Sequence, residues 1–269
     1  MAYLTNRAFH LLRNLAHSYR YRDVPIEFEV ELPMAQMKRI LNKHNLGYDE
    51  KGNPSWWYSS LRNKRNNQDD LTRGVLRFIH SNVAKDARIL GTGCGTGWML
   101  FWLAQKGFKN LHGFDYLPNV VAAANEIARE NKIDVKIWQD DAFNPKVALQ
   151  TYDTILVLYW IYSAWAGNYG NKSAADEDRV ELLRRFLVIY VAHLAPSGRL
   201  IIELIDAIAD LREPPSDIYP IRHSREQVQS VASDLGLTIE KMMFNCNHGH
   251  QPRMLYVLRR NPELGVTHH

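Results

Sequence analysis

A glycine-rich turn between an apolar strand and an apolar helix constrains this chain more than any other feature. The turn occupies residues 91–97, Gly-Thr-Gly-Cys-Gly-Thr-Gly, and a helical apolar pattern follows from Trp98. Glycine has no Cβ, so such a turn can bend sharply and approach a ligand closely. The next apolar run ends in Asp115, and a carboxylate at that place can accept hydrogen bonds from ribose hydroxyls. The pattern predicts a nucleoside site at the carboxyl ends of two strands.

Strand and helix patterns alternate through the rest of the chain. Further strands are predicted at 135–138, 154–159, 200–205, 237–244 and 254–258, with helical patterns between most of them. Ser224 and Gln227 have the spacing of a capping box for a helix that ends near Gly236. This order predicts a doubly wound, Rossmann-like α/β fold with a seven-stranded, mostly parallel sheet and an antiparallel last strand.

The N-terminal quarter has a different character. Its patterns predict a helix over residues 8–19, a strand or extended arm at 26–32, and a second helix after Pro33. We therefore predict two parts, a mainly helical lid over residues 1–68 and a core over residues 69–262. Trp56, Trp57 and Tyr58 stand out at the end of the lid, where packing is the favoured interpretation and closure over the site is the alternative.

Charge and cysteine content narrow the classes of protein. The formal net charge is +4, and all of the excess lies in residues 1–73, with twelve Lys and Arg against eight Asp and Glu. A solvated helical surface is the favoured interpretation, and a basic cover for an anionic acceptor is the alternative; the excess is small for a nucleic-acid footprint. The two cysteines indicate no disulfide framework. No signal peptide or membrane span is recognisable, so a cytoplasmic location is expected.

Four landmarks in order carry a family resemblance. The glycine turn, Asp115, the pair Asp141-Ala142 after the third strand, and the fourth strand at 154–159 resemble class I S-adenosylmethionine-dependent methyltransferases. The resemblance covers residues 70–260. It implies a Rossmann-like core that binds S-adenosylmethionine and releases S-adenosylhomocysteine. The chain departs from the family pattern at Gly91, where an Asp or Glu usually helps to organise the methionine end of the cofactor.

The resemblance also implies which residues hold the cofactor. Asp115 would bind the ribose hydroxyls, Asp141 rather than its neighbour Asp140 would accept from the adenine amino group, and Tyr116 would pack on the adenine. Cys94 is interpreted as a small packed residue rather than a nucleophile. The complete set of cofactor-binding candidates is Gly91, Thr92, Gly93, Cys94, Gly95, Gly97, Asp115, Tyr116, Asp141, Ala142 and Leu158.

The acceptor side is defined less sharply. Aromatic residues crowd the segment after the fourth strand, and some of them could form an apolar wall around the cationic sulfur; they are Tyr159, Trp160, Tyr162, Trp165 and Tyr169. Transfer to a hydroxyl or a protonated amine needs a general base. The catalytic candidates are Asp206, His223, His250 and Tyr162, with His248 also considered. The spacing of Cys246, His248 and His250 matches no usual zinc site, so no metal is predicted.

Three functions remain open on the sequence. The first is methyl transfer to an oxygen or nitrogen of a small molecule, metabolite or glycan, with an anionic acceptor suggested by the basic lid. The second, suggested by Gly91, is a catalytically silent binding or scaffold protein that keeps the fold. The third is an RNA or protein methyltransferase, suggested by the basic N-terminal quarter, although the motif of base-amino methyltransferases is absent after the fourth strand. The oligomeric state is left undefined.

Overall fold

Seven apolar segments pair into one sheet in the computed structural model, which describes residues 32–49, 51–55, 57–58, 70–146, 151–207, 220–245 and 253–261. The strands are β1 (Arg88–Thr92), β2 (Asn110–Asp115), β3 (Lys136–Gln139), β4 (Tyr152–Val157), β5 (Leu194–Ile205), β6 (Leu237–Asn245) and β7 (Arg253–Arg260). Their order is β3-β2-β1-β4-β5-β7-β6. The first five strands are parallel, and β7 is antiparallel to both of its neighbours. The predicted fold class is confirmed.

Helices cover both faces of the sheet. They are α1 (Met34–Lys43), α2 (Asp70–Asn82), α3 (Trp98–Gln105), α4 (Pro118–Glu130), α5 (Ile161–Trp165), α6 (Arg179–Val191) and α7 (Arg225–Asp234). Buried residues of α1 to α4 form one apolar cluster, and those of α5 to α7 form a second. Because neighbouring strand residues point to opposite faces, Ile89 belongs to the first cluster and Leu90 to the second.

Local signals placed most helix starts correctly. The capping box of α7 is present, with the Ser224 hydroxyl accepting from Gln227 N and the Gln227 side chain accepting from Ser224 N. α6 begins at Arg179, later than the acids at 176–178 suggested, because Asp178 is the capping residue and accepts from Glu181 N. β4 ends at Val157, before the predicted end, because Tyr159 has a φ of 70° and leaves the extended conformation.

The described part of the N-terminal quarter is attached to the core through α1. Met37, Ile40 and Leu41 of α1 are buried, as its apolar face predicts. Beside them, the Glu126 carboxylate of α4 accepts from Lys43 Nζ at 2.9 Å and lies 2.7 Å from His44 Nε2. The predicted helix at 8–19 and the arm at 26–31 lie outside the described residues, and the division into a lid and a core remains a prediction.

We expect the attachment of α1 to weaken in acid. The hydrogen bonds from Lys43 and His44 lower the pKa of Glu126 to about 2 from its ordinary 4.5. A carboxyl whose pKa is lower in the folded state stabilises the fold above its unfolded pKa, and that contribution is lost as pH falls. The free-energy difference between the parent and Glu126→Gln in urea unfolding should therefore be constant above about pH 5 and shrink progressively toward pH 2. A difference independent of pH over this range would contradict the expectation.

None of the helices among the described residues combines the length and apolar character that crossing a membrane requires.

Candidate functional site

A cleft opens beyond the carboxyl ends of β1, β2 and β4, next to the point where the strand order reverses. Open α/β sheets bind ligands at this position. The empty space, with its open mouth included, is about 1130 Å³. Every cofactor-binding candidate except Gly97 lines the cleft, together with further residues that include Trp57, Met99, Leu117, Asp140, Phe143, Tyr159, Trp160, Tyr169 and Asn171.

The glycine turn has backbone angles that favour glycine. Gly93 and Gly95 have φ values of 55° and 58°, in the left-handed region that other residues rarely adopt. A Cβ at Gly93 would lie 2.5 Å from Trp160 Cδ1, and one at Gly95 would lie 2.9 Å from Trp57 Cζ3. Two tryptophans therefore rest directly on the turn. A Cβ at Gly97 would instead meet Phe101 at 2.7 Å, so this glycine serves the packing of α3 and lies outside the cleft.

Asp115 is held in place by the turn that it faces. The side chain is buried, with one oxygen accepting from Gly95 N at 2.9 Å and the other from Leu117 N at 3.1 Å. Burial raises the pKa of this carboxyl, against the lowering effect of its backbone donors. Each carboxylate oxygen has a further lone pair, so Asp115 can accept from two ligand hydroxyls without losing these bonds.

The two aspartates after β3 have different roles. One oxygen of Asp140 accepts from Asp141 N and Lys146 N, both at 2.9 Å, and this closes the loop. Asp141 is partly exposed and uses one oxygen to accept from Phe143 N at 2.9 Å. Ala142 O accepts from the Tyr190 hydroxyl at 2.7 Å, which fixes the peptide between Ala142 and Phe143. Both aspartates line the cleft, and the preference for Asp141 as the residue that faces the ligand stays a prediction.

Gly91 and Cys94 lie side by side at the end of β1. A Cβ at Gly91 would be 3.4 Å from Cys94 Cβ and 3.6 Å from Leu100 Cδ2, so its first carbon would be in near-ordinary van der Waals contact. Burial raises the pKa of the Cys94 thiol well above its ordinary value, and the charge of Asp115 adds to this. A neutral thiol is a poor nucleophile, which supports the packing role predicted for Cys94.

The aromatic residues after β4 divide between the cleft and the core. Tyr159, Trp160 and Tyr169 line the cleft, whereas Tyr162 and Trp165 are buried in the second apolar cluster. Trp57 and Tyr58 pack against the first apolar cluster, in agreement with the favoured interpretation of their tripeptide, and Trp57 also lines the cleft from the N-terminal quarter. Trp56 lies outside the described residues.

An ion pair below this aromatic segment was not predicted from the sequence. Tyr159 N donates to Glu203 Oε2 at 2.8 Å, and Arg253 donates to Glu203 Oε1 at 3.0 Å. Glu203 is fully buried, and the Arg253 guanidinium lies over the Tyr162 ring at 4.8 Å. The available signal was a single carboxylate within the apolar run at 200–205, but its partner lies fifty residues further along the chain.

The proposed general bases do not meet in the cleft. Asp206 and His223 are neighbours, joined by a backbone bridge between the end of β5 and the segment before α7. Neither of them, nor Tyr162, is among the residues that line the cleft. His223 Nε2 is 2.9 Å from Arg179 O, and burial lowers its pKa to about 4. His250, like His248 and Cys246, lies outside the described residues.

Known methyltransferases are similar to this chain in the sequence and the fold that surround the cleft. Residues 89–169 match the family model described as a methyltransferase domain. This range contains every residue named above as lining the cleft except Trp57 and Asn171. The fold is similar to magnesium protoporphyrin IX methyltransferase from Synechocystis PCC 6803 with bound S-adenosylhomocysteine. The TM-score is 0.57 at 15% identity, over 85% of this chain and 100% of the other.

Curated proteins provide relatives with higher sequence identity over part of the chain. EEF1A lysine methyltransferase 2 of Danio rerio is 29% identical over 130 residues, which are 48% of this chain and 52% of that protein. Ubiquinone biosynthesis O-methyltransferase of Rickettsia canadensis is 26% identical over 180 residues, which are 62% of this chain and 64% of that protein. The chain thus spans about half to two thirds of the length of these two relatives. Residues 89–169 thus carry a methyltransferase domain, within a seven-stranded fold that this chain shares with solved methyltransferase structures.

Proposed function

We propose that this chain binds S-adenosylmethionine in the cleft and methylates an oxygen or nitrogen of a small molecule, metabolite or glycan. One observation carries the proposal: a buried carboxylate, Asp115, is already oriented by Gly95 N and Leu117 N beside a turn that only glycine fits. A site whose polar groups are fixed before binding loses little free energy to reordering. The residues present therefore fit a nucleoside with an attached amino acid.

Each part of the cofactor would contact particular residues of the cleft. Asp115 would accept from both ribose hydroxyls, and Asp141 would accept from the adenine amino group through its second oxygen. The Ala142 peptide, fixed through its carbonyl by Tyr190, would contact the adenine ring edge. Tyr116 is 53% exposed beside the cleft and would cover the adenine face. The glycine turn and Leu158 would contact the amino-acid end.

The chain would promote methyl transfer mainly by alignment. S-adenosylmethionine supplies a methyl group on a positively charged sulfur, and transfer leaves S-adenosylhomocysteine. Trp160 and Tyr159 line the cleft beside the glycine turn, where aromatic faces attract a cation and exclude water. Trp57 would close the cleft from the opposite side of the turn. In-line displacement benefits most from such positioning of the two reacting atoms.

The described residues that line the cleft favour acceptor groups that are deprotonated, or readily deprotonated, near neutral pH. Among the described lining residues there is no histidine, lysine or arginine. An acidic hydroxyl, a carboxylate or a neutral amine has its lone pair available near neutral pH, so alignment is sufficient for these groups. A less acidic hydroxyl would need a general base, for which the aspartates and tyrosines that line the cleft are candidates, as is His250 from another part of the chain.

Protein methylation is a second candidate, and one observation favours it. A curated relative that matches this chain is named as a lysine methyltransferase. A lysine side chain is a narrow amine that could enter an aromatic-walled cleft. Incubation of a cell extract with the protein and methyl-labelled S-adenosylmethionine separates the two, because label in the small-molecule fraction supports the first function and label in protein supports the second.

Calorimetric titration with S-adenosylhomocysteine tests whether the chain binds the cofactor, which both candidate functions require. We expect saturable binding to one site per chain, and absence of heat at millimolar ligand would reject the cofactor assignment. A protein that binds the ligand but transfers no label to either fraction would instead be a silent binding protein.

Restoring the missing acid should strengthen cofactor binding. Gly91→Asp is sterically permitted at its Cβ and would supply an acceptor for the ammonium of the cofactor. We expect the affinity for S-adenosylhomocysteine to rise by about tenfold, the scale of one charge-assisted hydrogen bond in water. Gly91→Asn is the matched control, since it adds the same volume without charge. An equal gain from both variants would show that charge is not what position 91 lacks.

A further inference from the structure

The turn after β4 holds an unfavourable backbone conformation at the edge of the cleft. Tyr159 has a φ of 70°, which is rare for a bulky side chain and persists only where surrounding contacts enforce it. Its peptide N–H donates to Glu203 Oε2 at 2.8 Å. Strained residues of this kind concentrate at functional sites, and Tyr159 lines the cleft.

The carboxylate that holds this turn is itself oriented from two sides. Glu203 Oε1 accepts from Arg253 at 3.0 Å, and the side chains of Glu203 and Arg253 are 0% and 13% exposed. Arg253 is braced by the Tyr162 ring below it. Burial lowers the pKa of the guanidinium, but the charge of Glu203 and other neighbours more than offset this, so the pKa lies above its ordinary value.

This ion pair is a weak candidate for a purely stabilising role. A buried pair must recover the free energy of removing two charges from water, and apolar replacements of similar volume often stabilise a protein equally well. What an apolar pair could not do is accept the N–H of Tyr159. The next residue, Trp160, packs against the rings of Phe143 and Phe186, at 5.5 and 5.8 Å between centroids, and against Gly93. A change in the Tyr159 peptide would therefore displace Trp160 from the glycine turn.

We propose that Glu203 is a positioning residue for methyl transfer, which fixes the Tyr159 peptide so that Trp160 forms the wall of the cofactor cleft. Arg253 pairs with the Glu203 carboxylate and holds its orientation. The methyl-transfer part of this inference rests on the proposed function. The positioning of Trp160 does not, and it can be measured in the ligand-free protein.

A pair of variants separates positioning from stability. Glu203→Gln keeps the volume but presents an N–H₂ group to either Tyr159 N or Arg253, so we expect at least tenfold weaker binding of S-adenosylhomocysteine. The double variant Glu203→Leu with Arg253→Met removes both buried charges together. We expect the urea concentration at the midpoint of unfolding to be close to that of the parent. The affinity for S-adenosylhomocysteine should remain at least tenfold below that of the parent. Recovery of both quantities in the double variant would overturn the proposal.

A second ion pair on the same sheet provides the control. Arg199 on β5 bonds Glu240 on β6 at 2.7 and 3.1 Å, and neither residue is among those that line the cleft. Glu240→Gln breaks an Arg–Glu pair without touching Tyr159, so the affinity for S-adenosylhomocysteine should stay within twofold of the parent. A tenfold loss in this control would show that any break in the sheet weakens the site, which also overturns the proposal.

Fluorine NMR distinguishes this proposal from the proposed function. The protein is labelled with 5-fluorotryptophan, and the Trp160 signal is assigned by its absence in Trp160→Phe. Without ligand, this signal should shift in the double variant and stay in place in Glu240→Gln. An unmoved signal in the double variant would overturn the positioning role even if the parent binds the cofactor. A shifted signal in a protein that binds no S-adenosylhomocysteine would support positioning while the proposed function fails.

Discussion

Replacing Gly93 by alanine is expected to abolish cofactor binding. The added Cβ would stand 2.5 Å from Trp160 Cδ1 and 2.7 Å from Trp160 Cγ. These atoms are at the base of the indole, so the whole ring must leave its place against Phe143 and Phe186. The positive φ of 55° adds backbone strain, which costs about 1–2 kcal/mol for an L-residue. Calorimetry with S-adenosylhomocysteine should show a loss of at least about a hundredfold, or about 2.7 kcal/mol.

Gly107 provides the matched control for this substitution. It also has a positive φ, 87°, but a Cβ there would meet no atom within 4 Å. Gly107→Ala should therefore lower the free energy of unfolding by the strain alone and leave cofactor affinity unchanged. If Gly93→Ala and Gly107→Ala had the same affinity, the contact between Trp160 and the glycine turn would be irrelevant to the site.

Asp115→Ala should have an effect of comparable size. The change removes the acceptor for two ribose hydroxyls and leaves Gly95 N and Leu117 N without their partner. Hydrogen bonds to a charged group contribute about 1.5–3 kcal/mol each, so the affinity for S-adenosylhomocysteine should fall by about 3 kcal/mol or more, roughly 150-fold. The loss should be greater than the removal of one ligand contact would produce, because the glycine turn also loses an anchor.

Asp153 offers a comparison at the other end of β1. Its carboxylate accepts from Arg88 N at 2.8 Å, so Asp153→Ala also removes a bond between an aspartate and a strand backbone. It should reduce stability slightly and leave the affinity intact. Asp115→Asn should fall between the parent and Asp115→Ala, since it keeps one acceptor oxygen. An Asp115→Ala protein with the affinity of the parent would place the ribose elsewhere.

The parts predicted well from sequence are those in which function depends on local spacing. The glycine turn, Asp115 and Asp141 are each placed by the end of a strand, and strand ends follow from short apolar runs. Gly97 was grouped with the cleft because it continues the glycine pattern, yet its Cβ position faces Phe101. Whether a glycine serves a ligand or a helix depends on what packs against it, and spacing alone does not contain this information.

The parts that were missed depend on contacts between distant segments. Glu203 was interpreted as part of an apolar strand. Its proposed role requires both Tyr159, which follows β4, and Arg253, the first residue of β7. For the general bases, position at a strand end was the only guide. Asp206 and His223 do lie together there, joined by a backbone bridge, but neither is among the residues that line the described cleft.

The docking of α1 on α4 also changes how the charge of the chain should be understood. The formal excess of +4 arises in the N-terminal quarter, but Arg39 is paired with Glu130 and Lys43 with Glu126 on the core. The electric field offered to an approaching anion is therefore weaker than the residue count implies. The Arg39 and Lys43 side chains are 58% and 59% exposed, so added salt screens their pairs. Ionic strength would thus act on the seating of the N-terminal segment as well as on the attraction of a charged acceptor.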